Sequence, residues 1–492
     1  MMRPRRTRLT SGRLARRALL PALIASALVA PVQAADLLTI ARDALENNAE
    51  LASARAQSGS VEAGREVERA DLLPQLSATG SVAHNRQYES QSADGPFPGG
   101  GQGAGVAEDD STNSLSLGLE ATQALFDARN RREVERAERQ IDQQLYQLAA
   151  TEQQVLIDVA TAYFEILRAY EILEARRAQE RAIGRQLEQA REQFDVGLIA
   201  ITEVDEAQAA FDQARAERIT AQSNLQVNFE ALERLTGERY ASIEALGEAM
   251  PITPPTPAER DAWVALAMEN SPLVLASQAG VAVSRSSVDI AQAGRLPTVN
   301  AFANYQYSDS DSDALAGHNA DSQVGLRLNM PLYTGGRTRA SVRQNTYLLE
   351  SSQYDLEAQR RDTIQQVRSR YTQVSNDVST VEARAQAIVS NQSALDATRA
   401  GYEVGTRNIV DVLNAEQNLY NAIADHASAR YDYVINLLTL RQQAGTLDAS
   451  AIQEVNAWLD GESVSFTLPE EGREEGSPFD AGLEIGEPPT PQ

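Results

Sequence analysis

The side chains best placed for chemistry are two carboxylates that follow glycine turns in separate halves of the chain. Glu203 lies six residues after Gly197, and Asp411 lies six residues after Gly405, so the two sites correspond at an offset of 208 residues. Carboxylates held at one height around a common axis would concentrate cations there. The alternative is that these acids are ordinary solvated groups beside an exposed turn, where an isolated ion pair contributes about 0–1 kcal/mol.

Other chemistries find little support in the residue types. The chain has no cysteine, which excludes disulfides, thiolate catalysis and cysteine-ligated metals. Its three histidines, His84, His318 and His426, lie far apart, and the sequence has no phosphate-binding glycine loop or nucleophile motif. We therefore predict no enzyme activity, no catalytic residues, no cofactor and no metal site.

The chain of 492 residues is strongly acidic. It carries 69 acidic residues against 44 basic ones, a formal net charge of -25, and every basic residue is arginine. Seven arginines precede residue 18 and no acid precedes Asp36, so the remainder has 37 basic and 69 acidic residues, a net charge of -32. A body this acidic repels phosphate backbones, which argues against a nucleic-acid partner.

Residues 1–34 have the pattern of a secretory signal peptide. A basic segment precedes an apolar run over residues 18–30, and Val32-Gln33-Ala34 places small residues at the cleavage positions. A membrane anchor is the alternative, but the run is shorter than the ~20 residues that a spanning helix needs, and no later stretch is longer. We predict an exported protein that enters a membrane, if at all, with strands.

The chain contains an internal repeat. Leu73-Pro74 matches Leu296-Pro297 at an offset of 223, and Phe194-Asp195-Val196-Gly197 matches Tyr402-Glu403-Val404-Gly405 at an offset of 208. A period above 200 residues indicates a duplicated domain rather than a short solenoid repeat. We predict a first repeat over residues 35–250, a proline-rich linker over residues 251–257 and a second repeat over residues 258–460.

Each repeat contains two segments in which apolar and polar residues alternate. In the second repeat, Val324, Leu326 and Leu328 alternate with residues such as Gln323 and Arg327. A fully polar face opposite an apolar one indicates a strand that is wet on one side. Such strands fit a soluble sandwich or a membrane barrel, and export together with the many helices favours the barrel. The predicted strand pairs cover residues 74–90 and 113–125, and residues 297–309 and 321–332.

A very long helix is predicted after each strand pair, over residues 128–196 and 337–404. Neither segment contains proline, and at ~1.5 Å per residue each helix would extend roughly 100 Å. Val367, Tyr371 and Val374 recur in steps of three and four, which indicates a coiled-coil seam. A soluble coiled-coil spacer would explain these helices but not the strands. One shorter helix is predicted before each strand pair, around residues 36–70 and 258–294. Another is predicted beyond each glycine turn, over residues 202–236 and 409–444.

These elements require more than one chain. Four strands cannot close a membrane barrel, because even small barrels need about eight strands. Two to four copies would supply roughly 8 to 16 strands, and the joined helices would extend the barrel into a helical tube. The arithmetic leaves the number of copies open.

Three segments of the predicted helices and turns have distinctive sequences: residues 158–164 read DVATAYF, residues 194–204 read FDVGLIAITEV and residues 401–413 read GYEVGTRNIVDVL. These segments resemble the TolC family of outer-membrane efflux and type I secretion channels. The resemblance runs from about residue 36 to 460. It implies a mainly α fold with membrane β-structure. In a homotrimer, about twelve strands would form a barrel in the lipid of the bacterial outer membrane, continued by a long α-helical coiled-coil tunnel in the periplasm.

The resemblance also implies a gate at the periplasmic end. Asp411 matches an aspartate that lines the narrowest constriction, and Asn414 stands where the family has a second aspartate, which reduces two acidic tiers to one. Glu203 replaces an aspartate. Positions whose hydrogen bonds and ion pairs hold the entrance closed are matched by Tyr402, Arg407 and Glu203, with Thr202 beside them.

Partners follow from the same resemblance. It implies docking to a periplasmic adaptor (membrane fusion) protein and, through it, to an inner-membrane efflux or ABC transporter. The candidate docking turns are Gly197, Leu198, Ile199, Gly405 and Thr406. The simpler interpretation is that the glycines only supply the positive φ that a chain reversal needs.

We therefore predict the gated exit duct of a tripartite efflux pump or type I secretion system, which passes substrates from an inner-membrane transporter across the periplasm and outer membrane. The main alternative is a non-channel periplasmic helical adaptor. An adaptor would have one helical hairpin flanked by compact β-domains, which the duplicated order argues against. Residues 461–492, rich in Glu, Gly and Pro, are predicted to form a disordered acidic tail.

Overall fold

The computed structural model describes residues 34–88, 109–247, 250–310 and 317–465. The predicted signal peptide, apart from Ala34, lies outside these residues. In chain order the described elements are α1 (Leu37–Asn47), α2 (Ala49–Ala70), β1 (Gln75–Tyr88), β2 (Asp109–Phe126), α3 (Ala128–Asp195), α4 (Ile201–Thr236), β3 (Ser242–Leu246), α5 (Arg260–Asn270), α6 (Pro272–Ala293), β4 (Thr298–Ser310), β5 (Gly317–Asn329), α7 (Arg337–Glu403), α8 (Ile409–Gln443), α9 (Ala449–Asn456) and β6 (Leu459–Ser465).

Four strands form one antiparallel sheet in the order β1-β2-β4-β5. Leu117 of β2 lies opposite Tyr307 of β4, and this face is mainly apolar in all four strands, with polar exceptions such as Asp309 and Ser322. On the other face, Glu120 lies opposite Ser77 on one side and Asn304 on the other. The predicted alternation therefore gives a sheet with one mainly apolar and one mainly polar face. Within the described protomer, β1 and β5 are the edge strands of this sheet.

Strand β5 starts earlier and ends earlier than the predicted segment 321–332. Its first residue, Gly317, pairs with Ser310, the last residue of β4. It ends at Asn329, two residues before Pro331, which has no backbone N–H to donate. The pairing with β4 and the proline, rather than the hydrophobic pattern alone, set the limits of this strand.

The two long helices organise the rest of the molecule. α3 has 68 residues and α7 has 67. Next to the sheet, α3 packs against α2 and α6, and α6 packs against α7; towards the other end, α3 packs against α4 and α8, and α8 packs against α7. At each level four helices therefore lie side by side. In the part of the chain that the structure describes, no helix combines the length and apolar character needed to cross a membrane.

Each repeat has two short helices before its strands, where the sequence analysis expected one. The first break is at Asn48, whose Oδ1 accepts hydrogen bonds from the backbone N of Glu50 and Leu51 at 3.0 and 3.1 Å. Its amide also donates to the carbonyl of Leu235 at 2.9 Å. Ser271 marks the matching break in the second repeat. A polar cap explains the first break. Ser271 makes no side-chain cap, and the second break instead coincides with Pro272, the first residue of α6, which has no backbone N–H to donate.

The buried core lies midway along the helices. Its largest fully buried side chains include Tyr163 and Phe164 of α3 and Tyr431 of α8. The Tyr163 hydroxyl donates to the carbonyl of Glu244 at 2.7 Å, and the Tyr431 hydroxyl donates to Glu171 Oε1 at 2.5 Å. Burial is the main cause that raises the pKa of both tyrosines, so they remain neutral hydrogen-bond donors.

A small second sheet, absent from the sequence predictions, covers this core. Strands β3 and β6 pair antiparallel, and Ala35 forms a parallel bridge with Ile243. Because β6 continues to Ser465, residues 461–465 are part of a strand and not of the predicted tail. Residues 466–492 lie outside the described chain. The linker segment contacts the core, since the Tyr433 hydroxyl donates to the carbonyl of Thr253 at 2.8 Å.

Candidate functional site

Two helical hairpins form the end of the molecule remote from the four-stranded sheet. We name residues 187–208 the first tip hairpin and residues 395–416 the second tip hairpin. Gly197 and Gly405 reverse the chain in the two hairpins, with the same positive φ of 75°. This left-handed conformation strains other residues, so glycine is required by the turn itself.

The turns match in their hydrogen bonds as well. The backbone N of Leu198 donates to the carbonyl of Gln193 at 2.8 Å, and the backbone N of Thr406 donates to the carbonyl of Gly401 at 2.9 Å. The internal repeat therefore extends to the backbone geometry of the tips, and differences between the hairpins must come from side chains.

The second tip hairpin fixes Asp411 in a capping box. Asn408 Oδ1 accepts a hydrogen bond from the backbone N of Asp411 at 2.8 Å, and Asp411 Oδ2 accepts one from the backbone N of Asn408 at 3.4 Å. Arg407 Nη1 lies 3.8 Å from the same Oδ2. In the first tip hairpin the equivalent cap residue is Ala200, which has no side-chain cap. The carboxylate of Asp411 is therefore held in place, with a guanidinium beside it.

Tyr402 links the two hairpins. Its hydroxyl donates to Gln193 Oε1 of α3 at 3.0 Å. Burial, and then the nearby carboxylate of Glu203, raise the pKa of Tyr402 above its usual value. Tyr402 therefore keeps its proton at neutral pH and remains a donor to Gln193.

The residues matched to the entrance positions make few contacts with one another within one protomer. Tyr402 bonds to Gln193 of α3. Arg407 pairs inside its own hairpin. Among the described residues, the side chains of Glu203 and Thr202 form no hydrogen bond or ion pair. Asn414 is exposed, three residues beyond Asp411.

The turns present apolar side chains to solvent. Val196, Leu198 and Val404 are each more than 70% exposed, and Thr406 is also exposed. Ile199 instead packs between the hairpins, against a buried cluster that includes Ile409. Of the predicted docking residues, Leu198 and Thr406 are thus accessible, whereas Ile199 contributes to the packing of the tip.

Sequence reasoning missed three contributors to this site. Gly401 allows the close approach of Arg407, because a Cβ at position 401 would lie 2.8 Å from Arg407 Cγ. Arg399 Nη2 donates to Glu416 Oε1 at 2.6 Å, and Glu416 is fully buried. The repeat could have drawn attention to this pair, because Arg399 matches Arg191 at the offset of 208 while Glu416 matches the neutral Gln208.

The side chains around the two turns include several charged groups. The site supplies single carboxylates and an arginine around two turns, and nowhere in the described ranges do three His, Asp or Glu side chains gather closely enough to hold a metal ion. A sheet with one mainly apolar and one mainly polar face, continued by paired helices of roughly 100 Å, fits the class of outer-membrane channels with a helical tunnel.

Comparison with known proteins identifies the family. The chain belongs to the outer membrane efflux protein family, whose sequence model matches residues 40–238 and 263–446. TolC of Vibrio cholerae serotype O1 is 34% identical over 448 residues, which cover 90% of this chain and 98% of that protein. The alkaline protease secretion protein AprF of Pseudomonas aeruginosa is 34% identical over 315 residues, 63% of this chain and 66% of that protein.

A solved structure gives the same fold. The CmeC outer membrane channel of Campylobacter jejuni superposes with a TM-score of 0.67 at 18% identity, covering 86% of this chain and 90% of that one. The predicted family, fold class and location are therefore confirmed: the chain is an outer-membrane channel of the efflux and type I secretion class that extends into the periplasm. Because the family match spans both repeats, the alternative of a periplasmic adaptor is set aside.

Proposed function

We propose that three copies of this chain form the exit duct of an efflux pump or type I secretion system, closed at its periplasmic end by the second tip hairpin. Trimer formation is supported by the two edge strands, because β1 of one copy and β5 of the next can pair and so extend the sheet. The exposed Tyr347 and Tyr354 on α7, and Ile219 and Val227 on α4, offer apolar surface to neighbouring copies.

The capping box of Asp411 is the observation that carries the gate. It fixes one carboxylate per chain at the start of α8, so that threefold symmetry would place three of them around the axis. Such a ring attracts cations and repels anions. One turn beyond Asp411, α8 has the neutral Asn414 instead of a second acid. The matching position on α4 is Glu206, which is exposed. We propose that Asp411 and Glu203, with Glu206, line the entrance, with Asn414 and Thr202 beside them.

Reconstitution tests this function. The purified protein should extract as a trimer, visible by native mass spectrometry, and should form a small, cation-preferring conductance in a planar bilayer. A folded, membrane-inserted trimer that never conducts would contradict the channel.

The proposed partners are a periplasmic adaptor and, through it, an inner-membrane efflux or ABC transporter. The exposed Leu198, Val404 and Thr406, on the turns at Gly197 and Gly405, would provide the docking surface.

A charge placed on this surface tests docking. Leu198→Asp should weaken binding of the purified adaptor by at least tenfold, while leaving conductance unchanged. Gln213→Asp, which adds the same charge at an exposed position farther along α4, is the matched control and should bind normally. Equal loss in both variants would contradict a docking site at the turns.

A further inference from the structure

A buried carboxylate connects the second tip hairpin to the first repeat. Glu416 lies on α8 and is 0% exposed. Its Oε1 accepts the hydrogen bond from Arg399 Nη2 of α7 at 2.6 Å, and the Nε2 amide of Gln186 on α3 lies 3.5 Å from the same oxygen. One side chain thus joins α8 to both neighbouring long helices.

The polar groups of this contact are only partly satisfied. Among the residues that the structure describes, Glu416 Oε2 and Arg399 Nε are buried and have no hydrogen-bond partner. A buried charge in this condition depends strongly on its remaining partner, because separating the two would leave the carboxylate unpaired away from water. The contact therefore opposes any rotation of α8 that moves Glu416 away from Arg399.

The first tip hairpin shows that the charge is not needed to build a hairpin. At the offset of 208, Arg191 and Gln208 occupy the positions of Arg399 and Glu416. Arg191 Nη2 donates to Gln208 Oε1 at 2.5 Å, and this contact is exposed. The same turn therefore folds with a neutral, solvated partner for the arginine, and the buried charge is a feature of the second hairpin alone.

The position of Glu416 ties its contact to the entrance. Asp411 and Glu416 are five residues apart on α8, a separation of about 7.5 Å along the axis and about 140° around it. The buried Val412 and Leu413 lie between them. Because α8 turns as a unit, a rotation that carried Asp411 away from the axis would also pull Glu416 out of its contact.

We infer that Glu416 is a positioning residue of the gate. By fixing α8 against α7 and α3, it holds Asp411 at the entrance and keeps the resting channel narrow. This inference rests on the gated channel proposed above.

Planar-bilayer recording of Glu416→Gln tests it. This substitution gives the second hairpin the neutral pairing of the first, so the arginine keeps a hydrogen bond and loses only its ion pair. The resting conductance should rise several-fold. Gln208→Glu, the reciprocal change in the first hairpin, should conduct like the wild type. Gln186→Ala, which keeps the ion pair but removes the contact to α3, should give a smaller rise.

A distance measurement distinguishes a gating effect from general loosening. The chain has no cysteine, so Val404→Cys provides one spin-label site per protomer at the tip. Glu416→Gln should widen the distances between protomers at this label while the melting temperature of the trimer stays near that of the labelled parent.

The outcomes separate the two proposals. If the wild type fails to conduct, the channel function itself is contradicted. If the wild type conducts but Glu416→Gln changes neither conductance nor label distance, the inference about Glu416 is overturned and the channel stands. A rise of equal size in Gln208→Glu would also overturn it, because the effect would then not belong to the buried pair.

Discussion

The two tip hairpins have the same backbone conformation at the turn but different side-chain interactions. Both turn at a glycine with φ of 75°, and both close the turn with the same backbone hydrogen bond. Their side chains differ: at matching positions the first hairpin has Ala200 where the second has Asn408, and Gln208 where the second has Glu416. The first is uncapped and solvated at these positions, whereas the second is capped and contains an ion pair whose carboxylate, that of Glu416, is buried.

This difference distinguishes the residues that the turn needs from the residues that the proposed gate needs. Whatever both hairpins share, such as Gly197 and Gly405, serves the reversal of the chain. Whatever only the second has, such as the capping box and the contact between Arg399 and Glu416, constrains the helix that carries Asp411. The comparison therefore places the more constrained part of the proposed gate on α8.

The largest expected effect on stability is at Glu416. Glu416→Ala removes the buried carboxylate and its hydrogen bond from Arg399, whose side chain is 40% exposed and stays solvated, and should reduce the local unfolding free energy of α8 by about 2 kcal/mol. The equivalent exposed change, Gln208→Ala, should cost less than about 0.5 kcal/mol. Hydrogen exchange of the amides in the first turns of α8 and α4 measures both. Similar losses in the two hairpins would remove the distinction between them.

A smaller effect is expected at the caps. Asn408→Ala removes the side chain that accepts from the backbone N of Asp411 and should destabilise the start of α8 by about 1 kcal/mol. The reciprocal variant, Ala200→Asn, supplies a cap to α4 and should slow exchange there. If Asn408→Ala left exchange at the start of α8 unchanged, the capping box would not be what orders Asp411.

The smallest effect is expected at the link between the hairpins. Tyr402→Phe removes the hydrogen bond to Gln193, which is partly buried, and should cost about 0.5 kcal/mol. Phe194→Tyr, at the matching position of the first hairpin, adds a hydroxyl without that acceptor. Amide exchange at the C-terminal end of α7 should increase in the first variant and stay constant in the second; the opposite order would place the link elsewhere.

The sequence predicted what depends on local pattern. The alternation in β5, the long proline-free run of α7 and the glycine turns all follow from the spacing of residue types, and the structure has them. Prediction failed where partners are distant in the chain. β3 has only five residues, and its pairing with β6 joins segments more than 200 residues apart. No local signal marks such a pair.

The burial of Glu416 illustrates the same limit within the site. An acid in the segment Asn-Ala-Glu-Gln has the sequence pattern of a solvated helix face. It is buried because α3, α7 and α8 meet at this height, and that packing is a property of three segments together. The internal repeat would still have identified the position. At the offset of 208, Glu416 matches the neutral Gln208, although the arginines that contact them, Arg399 and Arg191, match each other.

The measurement that tests the gate most directly is planar-bilayer recording of the wild type and Arg407→Ser. Arg407 lies against α7 at Gly401 and beside Asp411, so it joins the end of one helix to the start of the next. Arg361→Ser is the matched control, because Arg361 forms an exposed pair with Glu357 of the same i,i+4 spacing on α7, away from the tip.

We expect a small, cation-preferring conductance in the wild type, a larger one in Arg407→Ser and wild-type behaviour in Arg361→Ser. Equal currents in all three proteins would contradict a gate in the second tip hairpin.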